Sequence, residues 1–128
     1  MPARRPPADA RRPRRARLSR SGDFDRVYRQ GRSRANRQLV VYRFPRPDSD
    51  TPRLGVSVSR KVGGAVERNR IKRLLREAFW AAEPAPRGED FVIVARPPAR
   101  ELADGDGLEG LAAALGELLV EPGPEPAP

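Results

Sequence analysis

"RLGVSVSRKVGGAVERNRIKRLLREAFWAA", residues 53–82, contains both periodicities that a small α+β domain needs. Leu54, Val56 and Val58 alternate with small residues, the two-residue period of a strand with one buried face. After "RKVGG" the period changes. From Ala65 to about Ala82, the residues Ile71, Leu74, Leu75, Ala78, Phe79 and Ala82 fall within about 140° of a helical wheel. That stripe is expected to pack on the sheet. The rest of the wheel holds Asn69, Arg70, Lys72, Arg73 and Arg76, with Arg68 at the stripe's edge. Arg68, Lys72 and Arg76 recur at helical spacing, which costs a few tenths of a kcal/mol per like-charged pair. An Arg73–Glu77 pair would offset part of this, but opposite charges do not lace the whole face. An anionic partner would resolve the imbalance. "VGG" leaves room for a phosphate to approach the first-turn N–H groups. Trp80 also falls on the basic arc, where stacking on a partner and packing under a loop are both open readings.

Outward from this unit, "SGDFDRVYRQG" (21–31) reads as a short helix with a Ser/Asp start, a Phe24, Val27, Tyr28 face and Gly31 as its stop. "RQLVVYRF" (37–44) is β-branched and aromatic, and its alternation sets Val40, Tyr42 and Phe44 on one face against Leu39 and Val41. It is expected to run antiparallel to the strand at 54–58. "DFVIVARPP" (90–98) reads as a buried strand bounded by prolines. A last amphipathic helix carries Leu108, Leu111, Ala112, Leu115, Leu118 and Leu119, weakened by its glycines. The expected fold is therefore α+β: a small mixed β-sheet packed with helices in the order α-β-β-α-β-α. Residues 1–17 read as a disordered basic Arg/Pro-rich arm, 18–120 as one domain and 121–128 as an acidic Pro-rich tail.

Charge is divided unevenly along the 128 residues. Through Ala82 there are 23 Lys+Arg against 7 Asp+Glu, a net of +16; from Glu83 there are 3 against 10, a net of −7. The basic part points to a polyanion, of which nucleic acid is the commonest. Arginine outnumbers lysine 24 to 2. A GC-rich genome and the guanidinium's fit to phosphate both account for that bias. The sequence has neither Cys nor His, which excludes disulfides, thiolate chemistry, zinc fingers and imidazole catalysis. No apolar run approaches membrane-spanning length, and the Arg-rich start lacks the apolar centre of a secretory signal. A cytoplasmic location with no membrane partner is the expectation.

"AVERNRIKRLLREAF" resembles the signature of the bacterial ribonuclease P protein subunit, an Arg-Asn-Arg core followed by Lys-Arg. "DFDRVYRQG", "ANRQLVVY", "LGVSVSRKVGGAVERNRIKR" and "FVIVARPPA" resemble that family's successive blocks in the family's order, from about Leu18 to about Leu119. The resemblance implies a small basic partner of a large catalytic RNA, the two together removing the 5′ leader of precursor tRNA. It also implies a left-handed strand–helix–strand crossover, against the general right-handed rule. Arg68, Asn69, Arg70, Lys72 and Arg73 match the family's RNA-facing helix, with Arg60 and Lys61 just before it and Arg76 on the same basic face. Phe24, Tyr28 and Tyr42 match positions lining a cleft that takes the single-stranded leader. Those aromatics have a second reading as core, and Phe24 can serve both. Arg37 is expected to face RNA from the start of its strand, while Asn36 reads as either contact or turn.

No catalytic constellation is legible. The expected division of labour leaves Mg²⁺ mainly to the RNA subunit and substrate, with the protein neutralising phosphates and holding the leader. No protein partner is implied. A structural RNA-binding protein, such as a ribosomal component, would share the basic helix without needing a leader cleft. A helix-turn-helix DNA regulator would need a helix where residues 53–58 read as strand.

Overall fold

The computed structural model describes residues 16–18, 21–46, 50–83, 86 and 88–120. The arm before Ala16 and the acidic tail after Val120 lie outside the described residues. In chain order the elements are β1 (Ala16–Arg17), α1 (Ser21–Gln30), β2 (Arg32–Ala35), β3 (Leu39–Pro45), β4 (Arg53–Val58), a 3-10 turn (Arg60–Val62), α2 (Ala65–Trp80), β5 (Glu89–Ala95) and α3 (Pro98–Leu119). Among the described residues no helix is long and apolar enough to cross a membrane.

The five strands lie in the order β1-β4-β5-β3-β2. β4 and β5 are parallel neighbours joined through α2, and β5 pairs antiparallel with β3. β3 and β4 thus run in opposite directions, as expected, but β5 lies between them. Its run Phe91–Ala95 is apolar on both faces, which suits the centre of a sheet. Two short strands are additions to the expected order. β2 forms a hairpin with β3, and β1 takes Ala16 and Arg17 from the segment read as arm and pairs them in parallel with Arg53 and Leu54.

The sheet is covered on both faces. Leu39, Val41, Leu54, Val58, Phe91, Ile93 and Ala95 face α2 and α3, meeting Ile71, Leu75, Ala78 and Phe79 of the expected stripe. Leu74 is only half-buried at this core's edge, and α2 ends at Trp80, so Ala82 falls beyond it. On the opposite face α1 lays Val27 and Phe24 on Leu18 and Val92. The Phe24 ring sits directly over Gly55, the small residue that leaves it room.

α3 begins at Pro98, ten residues before the apolar pattern read from the sequence. Pro98 stands in its first turn, where the missing N–H costs nothing. The helix is broken at Gly107, whose φ of 60° resets the phase between a first half burying Ala99 and Ala103 and a second burying Leu111, Ala114, Leu115 and Leu118. Leu108, placed on the stripe from sequence, lies just past the break and is exposed.

Gly31 closes α1, its N–H donating to the Val27 carbonyl at 2.9 Å. A Cβ there would stand 2.5 Å from the Val27 oxygen and 2.6 Å from the Arg43 oxygen, both backbone atoms that cannot swing aside. Gly31→Ala is expected to cost about 1–3 kcal/mol in urea denaturation, the usual range for overpacking.

Candidate RNA-binding surface

Pairing register decides which cations meet. β4 and β5 end together, Val58 opposite Ala95, and β3 starts there with Leu39 opposite Ala95. One end of the sheet therefore gathers Arg60 and Lys61 after β4, Arg96 after β5, and Arg37 in the β2–β3 turn. All four are exposed. Arg37 stands in the turn itself rather than at a strand start, so it projects from the end of the sheet. Arg96 was not singled out from the sequence; it donates to the Asn36 carbonyl at 3.0 Å. Asn36 is the turn residue: its Oδ1 accepts from the Gln38 and Leu39 amides, and its Nδ2 donates to the Ala114 carbonyl.

α2 starts at this same end. Gly64 precedes its first turn and no side chain caps it. Asn69 and Arg73 are exposed, while Arg68, Lys72 and Arg76 are half-buried. The Arg73–Glu77 pair does not form among the described residues. The basic face is instead relieved at Arg70, which bonds Glu67 at 3.1 Å and also reaches Asp104 of α3. Arg100 joins the cluster, 3.7 Å from Asp104 and 4.0 Å from Glu67. Arg70 thus differs from its neighbours: its charge is balanced within the protein, and it ties α2 to the first half of α3. Its raised pKa has its main cause in the Glu67 hydrogen bond.

On the α1 side of the sheet, three cross-strand rows run from one end to the other. Phe44, Asp90 and Arg53 form the first, Tyr42, Val92 and Gly55 the second, Val40, Val94 and Ser57 the third. α1 covers the middle row at Val92 and leaves Val40, Val94 and Ser57 half-buried. Phe24 and Tyr28 lie 6.2 Å apart between ring centroids, and Tyr28 meets Tyr42 edge-on at 4.9 Å. Phe24 is largely core, wedged over Gly55. Tyr28 is 36% exposed, and Tyr42 is half-buried. Burial holds the Tyr28 phenol above its usual pKa, partly offset by its hydrogen bond with Ser57.

The result is a shallow floor of aromatic and aliphatic surface that opens toward the end where Arg37, Arg60, Lys61 and Arg96 collect. Val40, already read on Tyr42's face, completes this floor with Val94 and Ser57, and none of the three was assigned to the site from sequence. Their signal was the strand alternation that places them on Tyr42's face. Aromatic faces beside cations suit unpaired bases and their phosphates. Among the described residues no group of three or more His, Cys, Asp or Glu could hold a metal ion, so they offer no Mg²⁺ cage.

Comparison with known proteins gives a consistent result. The family model described as Ribonuclease P matches residues 13–119. A ribonuclease P protein component of Bacillus pumilus is 46% identical over 89 residues, covering 69% of this chain and 75% of the relative. That of Halalkalibacterium halodurans is 51% identical over 87 residues, covering 67% and 73%. Among solved structures, the Thermotoga maritima RNase P protein superposes with a TM-score of 0.74 at 32% identity, covering 84% of this chain and 100% of that one. The Staphylococcus aureus RNase P protein gives 0.70 at 39%, covering 80% and 94%.

Proposed function

The chain belongs to the ribonuclease P protein family, and from that membership we propose that it binds a catalytic RNA subunit and the 5′ leader of precursor tRNA, assisting endonucleolytic removal of the leader. The observation that carries the leader assignment is the open floor of Tyr28, Tyr42, Val40 and Val94 beside a cationic sheet end. A protein that only scaffolds RNA has no need of such a floor. In this reading Arg60, Lys61, Arg68, Asn69, Lys72, Arg73 and Arg76 face the RNA subunit, with Arg37 at the sheet end. Phe24 supports the cleft from beneath while Tyr28 and Tyr42 meet the leader. Mg²⁺ is assigned to the RNA subunit and substrate.

Reconstitution with a cognate catalytic RNA tests this. The protein is expected to lower the salt needed for cleavage at the mature 5′ end and to favour precursor over mature tRNA, while the chain alone leaves the precursor intact. Cleavage by nuclease-free protein alone, or equal affinity for both tRNAs, would sink the reading. Arg68→Ala is expected to weaken RNA assembly and lower the salt slope by about one, with the fold unchanged. Arg70→Ala should instead lower thermal stability by up to about 1 kcal/mol, because it breaks partly exposed pairs to Glu67 and Asp104. A loss of RNA binding equal to that of Arg68→Ala would restore Arg70 to the interface.

A further inference from the structure

Arg17 belongs to a part of the sequence read as unstructured arm, yet the sheet gives it a fixed direction. In parallel pairing it lies opposite Leu54, whose side chain faces α2, so Arg17 points to the same side. There, β1 and the C-terminal half of α2 flank an open cavity of about 380 Å³ lined by Ala16, Arg17, Leu54, Arg73, Arg76, Glu77 and Trp80. Three arginines and one glutamate are among its lining residues, two positive charges in excess. Among the described residues none of Arg17, Arg73 and Arg76 has an ion-pair partner. Burial first, and the Arg17 charge second, lower the pKa of Arg76. Converging cations that oppose one another are an unfavourable arrangement for the free protein, and an anion between them reverses its sign.

The cavity sits against the C-terminal half of α2, and of the family-signature residues named above only Arg73 lines it. Arg76 lies eight positions after Arg68, a rise of about 12 Å along a helix. The indole of Trp80 forms part of the wall, its ring edge-on to Phe79 at 4.9 Å.

We propose that this cavity is a second RNA contact, taking one phosphodiester between Arg17, Arg73 and Arg76 with the adjoining nucleobase against Trp80. It rests on the RNA-binding reading above and adds to it a place and a stoichiometry. It also gives β1 a role: the strand brings a cation from the N-terminal segment to the edge of α2.

Trp80 is the only tryptophan, so its fluorescence reports on this cavity. The full chain is titrated with pentauridylate and, separately, with inorganic pyrophosphate at matched ionic strength. Binding to a cognate catalytic RNA is measured in parallel for wild type, Arg17→Ala, Arg76→Ala, Glu77→Gln and Arg68→Ala. Pentauridylate is expected to change Trp80 emission. Arg17→Ala and Arg76→Ala should each weaken RNA binding about tenfold and lower the salt slope by about one. Glu77→Gln should tighten it. Melting temperatures report the fold, and Arg76→Gln repeats the measurement if Arg76→Ala lowers its own. Wild-type affinity and slope in both arginine variants, with Arg68→Ala still impaired, would overturn the second contact and leave RNA binding by α2 in place. A Trp80 response to pyrophosphate but not to pentauridylate would reassign the cavity to a free phosphate. Failure of the wild-type chain to bind RNA would overturn both readings.

Discussion

Asp90→Ala is expected to lower the urea midpoint of the domain substantially, a loss of about 3–5 kcal/mol with an unchanged m-value. Asp90 is 1% exposed at the core of the β5 strand pairings. Its two oxygens accept from Arg53 Nε and Nη2, both at 2.8 Å, and Arg46 Nε lies 3.4 Å from Oδ1. Arg53 also reaches Asp23 at 3.4 Å, so the carboxylate anchors a bridge from β5 through β4 to α1. The Asp90 hydrogen bond is the main cause of Arg53's raised pKa. Deleting the carboxylate leaves two guanidinium groups facing each other where one anion had joined them. Both are about one-quarter exposed, and that access to water sets the loss near the lower end of the range. Against a typical stability of about 5–15 kcal/mol, it remains a large fraction. Asp90→Asn keeps the shape but not the charge and should fall between. RNA affinity per folded molecule is expected to stay unchanged in both variants. A loss below about 1 kcal/mol for Asp90→Ala would mean that the buried pair is no better than an exposed one.

Asp90 also shows where a sequence reading stops. The strands at 39–45, 53–58 and 89–95 and the helix at 65–80 were legible because each carries a long, clean period. The pairing order was not. Nothing local in "RLGVSVS" or "RQLVVYRF" states that a third strand comes between them, although the two-faced apolar run of β5 was the available hint. β1 and β2 escaped because "AR" and "RSRA" have no apolar period, and backbone pairing to an existing edge is enough to hold them. Arginine counts misled in the same way. Arg43, Arg46, Arg53, Arg70 and Arg100 look like surface charge in the sequence, but each has a carboxylate or ring partner brought from far along the chain. Those pairs depend on register, which composition does not encode. Along α2, helical spacing did place the basic face, and only Arg70's partner on α3 was hidden. For the aromatic cleft, period two and period 3.6 selected the right faces. How far α1 covers the sheet, and hence that Tyr28 stays partly open, needed the packed structure.

That partial opening makes Tyr28 and Tyr42 the substitutions with the largest expected effect on substrate choice. Truncating either ring removes a surface for one unpaired base, worth about 1–3 kcal/mol, or roughly 5- to 150-fold in affinity. Tyr28→Ala and Tyr42→Ala should each weaken precursor tRNA binding to the reconstituted particle within that range, and together they should nearly abolish the preference for precursor. Mature tRNA, which lacks the leader, should bind all variants alike. Tyr28→Phe separates ring from hydroxyl: it keeps the stacking surface but loses the hydrogen bond with Ser57, and should retain most of the preference. The two rings contact each other edge-on at 4.9 Å, so their effects are expected to be non-additive. A double-mutant cycle on precursor affinity measures that coupling directly. Equal losses for precursor and mature tRNA would show that the aromatic floor shapes the protein's fit to the RNA subunit and does not hold the leader.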